Sequence, residues 1–149
     1  MHTVRVRDII VRSVHLCRPD QSLELPVRAM MEHGIGCVLV VDDAGRLTGI
    51  LTDRDVCIAG HTRQRRLFEL AVNDHMTHTV HYCSEDDPVA DATALMRRHG
   101  IRRLPVVDAS RRPIAVLTLG DIARAFRRFD LHHVPVEAVQ LLEAAALIT

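Results

Sequence analysis

The sequence predicts a mixed α/β chain built from two copies of one β-α-β-β-α unit. The main observation is a repeat. Gly49-Ile50-Leu51-Thr52-Asp53-Arg54-Asp55 returns as Ala115-Val116-Leu117-Thr118-Leu119-Gly120-Asp121, 66 residues further on. The same offset pairs Asp42 with Asp108, His33-Gly34-Ile35 with His99-Gly100-Ile101, Met30 with Met96 and Val14 with Val80. Aligned without a gap, residues 10–59 and 76–125 agree at 16 of 50 positions. A period of this size means one supersecondary unit used twice. Each copy also carries an unbroken apolar run of strand length, as a strand buried on both faces requires. Each then ends on a second apolar run that passes into Thr-x-x-Asp, the opening of a helix.

In chain order, residues 5–12 form a short helix or turn around Val6, Ile9 and Ile10. Val14 to Cys17 is a short strand, broken by Pro19-Asp20-Gln21-Ser22, with Ser22 as the expected cap of the next helix. Leu23, Val27, Met30 and Met31 are spaced for one buried face, and Gly34 ends that helix. Cys37 to Val41 is the central strand, Asp42-Asp43-Ala44-Gly45 a hairpin turn, and Leu47 to Leu51 the return strand. Thr52 caps a helix running to about Ala59. In the second copy, Tyr82 lies in the first strand and Pro88 to His99 is the first helix. Leu104 to Val107 is the central strand, Asp108 to Arg112 the turn and Pro113 to Leu117 the return strand. Thr118 opens the last helix of the repeat, ending near Arg128. The expected division is repeat one at 4–60, a connector at 61–74, repeat two at 75–129 and a helical extension at 130–149. Leu67, Phe68 and Leu70 are expected to pack the connector onto the body. Beyond Pro135, Val136, Val139, Leu142 and Leu147 place an apolar stripe on a final helix, suited to covering a surface or a second subunit.

Composition narrows the function. With 149 residues, 48% of them apolar, the chain supports a real core. Zero net charge and a pI near 7.2 argue against a nucleic-acid binder. Aromatic residues are 3%, too few for a base-stacking platform. All 19 basic residues are arginine, which excludes Schiff-base chemistry and the lysine-dependent phosphate loop. No apolar run has the length of a membrane span, and the charged N-terminus does not read as a signal peptide. Cys17, Cys37, Cys57 and Cys83 contain no Cys-x-x-Cys pair, so reduced thiols in the cytoplasm are expected. Cys17 and Cys83 occupy equivalent repeat positions and read as core residues.

No enzyme is expected. The serines sit in no Gly-x-Ser-x-Gly frame, and nothing pairs a histidine with a carboxylate as acid and base. Of the ten histidines, His75, His78 and His81 are three apart but run into a strand, and His132-His133 point apart. Neither group forms the fixed shell of three or four ligands that zinc needs. His33 and His99 close helices, where a cation is favourable.

Thr52-x-x-Asp55 has two readings. One is a capping box in which Thr52 and Asp55 satisfy the free amides of the first turn. The other is a ligand site: an ionised carboxylate in the first turn accepts ribose hydroxyls, with helix amides close by for phosphate. Gly49 would let a ligand or a neighbouring strand approach closely. The second copy departs from the first. Ala115 replaces Gly49 and narrows that approach, and Leu119-Gly120 replaces Asp53-Arg54, removing a charge pair. Arg102 and Arg103 stand where the first copy has Gly36 and Cys37, and guanidinium groups suit phosphate.

The arrangement of strand, helix, hairpin-joined strands and helix, repeated, with His-Gly-Ile, an apolar strand ending in Asp42 or Asp108, and apolar-Thr-x-x-Asp, resembles a tandem pair of cystathionine-β-synthase (CBS) domains. The resemblance covers about residues 4–129 and is of the stand-alone prokaryotic kind. It implies two repeats packed sheet to sheet about a pseudo-twofold axis, with clefts for an adenosine-containing ligand: AMP, ADP, ATP, NAD or S-adenosylmethionine. By the same resemblance, Asp55 and Asp121 hold ribose, and Thr52 and Thr118 support ribose or phosphate. Arg54, Arg102 and Arg103 are phosphate candidates. The backbone near Val14, Cys37 and Val38, and near Val80 and Leu104, holds adenine. The implied role is regulatory, without a required cofactor, through a homodimer or a protein partner, and with neither nucleic acid nor membrane as partner. A ligand-free interaction scaffold is the first alternative, and a metal- or redox-responsive protein the second.

Overall fold

The computed structural model describes residues 3–128 and residue 140. The expected C-terminal helix beyond Pro135, with its apolar stripe, lies outside the described residues apart from Gln140. Chain contacts divide the protein into two units. The first unit is Val14–Val80 with Ser110–Pro113, and the second joins the N-terminal segment up to Ser13 to His81–Ala109 and to the residues from Ile114.

In the first unit the elements are β1 (Leu16–Cys17), α1 (Glu24–His33), β2 (Cys37–Val41), β3 (Leu47–Thr52) and α2 (Asp53–Arg63). The sheet order is β1-β2-β3, parallel between β1 and β2 and antiparallel between β2 and β3. Val38, Leu39 and Val40 are almost wholly buried, as an apolar run flanked by two strands should be. In β3 alternate residues are buried, so one face meets the core. Leu23, Met30, Val38, Val40, Leu51 and Ala59 form that core. Each fully buried leucine contributes about 1.5–3 kcal/mol. Gly34 ends α1 with φ +61°, the left-handed conformation that glycine adopts without penalty.

Three local expectations change. Leu23, not Ser22, occupies the cap of α1, with no side-chain cap bond. Ser22 instead pairs in an isolated bridge with Ala71, so its backbone is committed to the connector. Met31 is 79% exposed; it follows Met30 by one residue, about 100° around the helix, and only Met30 faces inward. α2 continues past Ala59 to Arg63.

The second unit contains β4 (Cys83–Ser84), α3 (Val89–His99), β5 (Arg103–Val107), β6 (Pro113–Thr118) and α4 (Leu119–Arg128), with sheet order β4-β5-β6. Tyr82 lies just before β4 and is 40% exposed. Thr93, buried within α3, donates its hydroxyl to the Val89 carbonyl at 2.7 Å, so no buried polar side chain is left unsatisfied there.

Each core is completed by a segment from outside its own repeat. In the second unit Val6, fully buried, joins Cys83, Val89, Met96, Leu104 and Leu117. Its amide donates to the Asp87 carbonyl at 2.9 Å, and the Val89 amide donates to that of Val4 at 3.0 Å. Residues 5–12 are not a helix of useful length; only Val6–Asp8 form a 3-10 turn. In the first unit Leu70, Val72 and Met76 join the core with Leu67 against it. The Leu23 amide donates to the Leu70 carbonyl, and Ile50 and Thr77 exchange both backbone bonds. The connector is thus tied down as expected, except for Phe68, which is 56% exposed.

Candidate adenosine site

Both Thr-x-x-Asp motifs sit where the last strand of a repeat hands over to its helix. Thr52 is extended at φ −108° and ψ 163°, so the first amides of α2 point back at it. The Asp55 amide donates to Thr52 Oγ1 at 3.2 Å. Asp55 Oδ2 accepts from the Thr52 amide at 2.8 Å and from its hydroxyl at 2.9 Å. In the second unit the Asp121 amide donates to Thr118 Oγ1 at 3.1 Å, and Asp121 Oδ2 accepts from the Thr118 amide and hydroxyl, both at 2.8 Å. The capping reading is therefore realised in both copies. It leaves one carboxylate oxygen, Oδ1, for anything else, so a ribose held here meets Oδ1 rather than the whole carboxylate.

The second oxygen differs between the copies. Asp55 Oδ1 has no hydrogen-bond partner among the described residues, whereas Asp121 Oδ1 accepts from Arg124 Nη2. One helical turn past Asp55 the equivalent residue is Ile58, 49% exposed. Arg124 reaches back over Gly120: a Cβ there would lie 3.4 Å from Arg124 Nη1 and 3.5 Å from Thr118 Oγ1. The first copy has Arg54 at that position. The charge that Gly120 removes is thus supplied again by Arg124, which the sequence expectation of a lost charge did not include. The 66-residue offset would have exposed the exchange of Arg54 and Ile58 for Gly120 and Arg124.

Neighbouring backbone closes around each box. The Asp53 amide donates to the Gly36 carbonyl at 3.0 Å, and the Leu119 amide to that of Arg102 at 3.0 Å. Cys37 lies opposite Thr52, and the Leu39 amide donates to the His15 carbonyl at 3.0 Å. Val14, Gly36, Cys37, Val38, Thr52 and Asp55 therefore gather at one end of the first sheet. The side chains of Val38 and Leu104 are in the cores, so only their backbone can serve a ligand. Arg54 and Arg102 are exposed and Arg103 is half-buried. Val80 closes the Val14–Val80 stretch of the first unit and directly precedes His81 of the second.

Gly49 does not open the site. It is buried in β3, and a Cβ there would meet Met76 Sδ at 2.6 Å. Its small size admits Met76 of a neighbouring segment, the second of the two alternatives, and not a ligand. Ala115 is likewise fully buried, so it narrows no approach.

Repeat-related histidines stack in both units: His15 on His33, centroids 4.2 Å apart, and His81 on His99, 3.5 Å apart. His99 has its pKa lowered, first by lost hydration in the stack, then by His81 and Arg98. At His99 these causes run against the cation that a helix end favours. Burial raises the Cys17 thiol to about 11, and burial with Asp87 nearby raises Cys83 to about 12. Neither is a reactive thiolate near neutral pH, and all four cysteines are free. Among the described residues no group of three or more His, Cys, Asp or Glu is placed to hold a metal ion, and no helix is long and apolar enough to cross a membrane.

A family model described as CBS domain matches residues 6–61 and again residues 72–128. A 17.7 kDa protein of Acidianus ambivalens, itself uncharacterized, is 30% identical over 128 residues, covering 86% of this chain and 75% of that one. Where the chain matches enzymes it spans only 22–23% of their length. The CBS domain pair of protein MJ0100, solved in complex with 5'-methylthioadenosine and S-adenosyl-L-methionine, superposes with a TM-score of 0.76 at 28% identity, over 85% of this chain and 98% of that one. CBSX2, solved in complex with AMP, superposes with a TM-score of 0.72 at 27% identity, over 83% and 96%. With two family matches spanning most of its length and the repeat, sheets and helices in place, the chain belongs to the CBS-domain family as a tandem pair.

Proposed function

We propose that this CBS pair is a regulatory module that binds an adenosine-containing ligand at one or both Thr-x-x-Asp boxes. The observation that carries the reading is the duplicated box with a carboxylate oxygen left over after capping, most plainly Asp55 Oδ1. Asp55 and Asp121 accept ribose hydroxyls, Thr52 and Thr118 hold the carboxylates in place, and Arg54, Arg102 and Arg103 meet phosphate. Backbone at Val14, Cys37 and Val38 in one copy, and at Val80 and Leu104 in the other, receives adenine. The adenosine compounds bound by MJ0100 and CBSX2 support this reading. AMP, ADP, ATP, NAD and S-adenosylmethionine are the candidates, none of them as a required cofactor.

Binding would be reported to a protein partner or through self-assembly as a homodimer, not through catalysis, and in the cytoplasm. Exposed Met31 and Ile58 on α1 and α2 suit a subunit contact; a monomer by light scattering across micromolar concentrations would sink the dimer. For the ligand, thermal unfolding and calorimetry with the five compounds at millimolar levels are the test. A ligand that binds only the folded chain raises its melting temperature; no shift and no heat with any of the five overturns the reading in favour of a scaffold.

A further inference from the structure

Counted along the sequence, the formal charge beside the two boxes is opposite in sign. At the first, Asp53, Arg54 and Asp55 stand together with Gly36 and Ile58 beside them, a net negative group. At the second, Arg102 adjoins the start of α4 through its carbonyl, Arg103 opens β5, and Arg124 is held on Asp121, a net positive group. We propose that Arg124 is a specificity-determining residue that makes the second box selective for phosphorylated adenosine ligands, while the first box takes adenosine with or without phosphate. The inference rests on the adenosine reading above.

The chemistry is a competition for one oxygen. Ribose hydroxyls must share Asp121 Oδ1 with a guanidinium already bonded to it. A nucleoside alone offers that guanidinium nothing in return. A 5'-phosphate does: Arg124 presents several N–H donors in a planar fork, so it can turn toward the phosphate as the ribose takes the carboxylate. Arg102, exposed in the segment to which the Leu119 amide donates, supplies a second guanidinium for the anion; of the first-turn amides of α4, those of Leu119 and Asp121 are already bonded. At the first box Ile58 leaves Asp55 Oδ1 open, so ribose binds there without displacing a partner. Gly120 is part of the arrangement, since a longer side chain would crowd the position Arg124 occupies.

The test titrates AMP and adenosine into single-box proteins by calorimetry. Asp55→Asn leaves the second box to be read, and Asp121→Asn leaves the first. In the Asp55→Asn protein AMP should bind at least about tenfold more tightly than adenosine, and added salt should shrink that ratio. Arg124→Ile, which installs the first copy's residue, and Arg124→Gln, which keeps length without charge, should each bring the ratio in that background to within about threefold. The Asp121→Asn protein should show the small ratio from the start. Melting curves establish that Arg124→Ile and Arg124→Gln are folded; the residue is exposed. If the ratio is unchanged in both Arg124 variants, or is the same in the two single-box proteins, the inference is overturned while the adenosine reading stands. If the wild-type protein binds neither compound nor any of the five candidates, the adenosine reading falls and the inference with it.

Discussion

The two units carry the same capping geometry to within 0.1 Å in each bond, yet they surround it differently. In the first, the strand before the helix has Gly49 against Met76, and the carboxylate has a free oxygen. In the second, Ala115 fills its own space and Arg124 occupies the oxygen. The lesson is that the repeated residues keep the fold of each copy, while the residues that differ decide what each box can hold. Position by position, Gly49 with Met76 is a packing difference and Ile58 against Arg124 is a chemical one.

The largest expected effect breaks the packing difference. Met76→Ala should destabilise the first unit by about 2–5 kcal/mol through lost burial and the cavity left. Gly49→Ala should cost about 1–3 kcal/mol by overpacking against Met76. Combined, they should cost less than their sum, because the shortened residue 76 makes room for the new methyl. Ala115→Gly, in the matched position, should cost only about 0.5–1 kcal/mol. Urea denaturation of the four variants checks this; strict additivity would separate Gly49 from Met76.

Next in size is binding. Asp55→Asn keeps an amide oxygen for Thr52 but presents N–H groups where ribose needs an acceptor. Affinity should fall about ten- to a hundredfold, the equivalent of about 1.5–3 kcal/mol. Stability should fall by only about 0.3–1 kcal/mol, from the weakened interaction with the helix dipole. Calorimetry and melting of one preparation measure both. A stability loss with unchanged affinity would mean that the box serves as a cap alone. Asp121→Asn should lose slightly more stability, since the ion pair with Arg124 goes with it, with its effect on binding concentrated on phosphorylated ligands.

The smallest effects are in pH. His99 resists protonation in the folded second unit, because of lost hydration and the adjacent His81 and Arg98. On acidification through about 6.5 the unfolded chain takes up that proton first, so the contribution of His99 to stability falls as pH drops through this range. His99→Gln should flatten the fall in a series of melting curves from pH 7.5 to about 5; an unchanged slope would leave the stack without a role in it. Asp42 acts lower. Backbone bonds from Arg46 and Ala44, together with the Arg46 guanidinium, hold its carboxyl below 3.8. Its contribution is present above that value and disappears as pH falls through the lowered one, so Asp42→Asn should lower stability at neutral pH and remove only the acid-limb dependence in the same melting series.

Most of the fold could be read from local pattern. Cys37–Val41 is a strand because an apolar run of that length has nowhere to go but between two others, and α1 ends at Gly34 because only glycine turns left-handed freely. The boxes were legible as well, since Thr-x-x-Asp is satisfied within four residues. Ser22, Met31 and the ligand half of the Gly49 expectation fail for one reason: each is judged by its neighbours in sequence, and each is decided by a residue or a helical direction that the local pattern does not report. Ser22 meets Ala71, and Gly49 meets Met76.

By itself, then, the sequence determined the repeat, the order of strands and helices, and the caps, because these depend on period, turn chemistry and bonds spanning a few residues. Only the tertiary structure decided that Val6 completes one core and Leu70, Val72 and Met76 the other. It also decided that His15 and His81 stack on His33 and His99, and that Arg124 claims Asp121 Oδ1. Apolar burial has no direction, so a hydrophobic pattern says that a residue is inside without saying beside what. A long side chain such as Arg124 is exposed on almost any helix, and its partner follows from whether a neighbour as small as Gly120 lets it fold back.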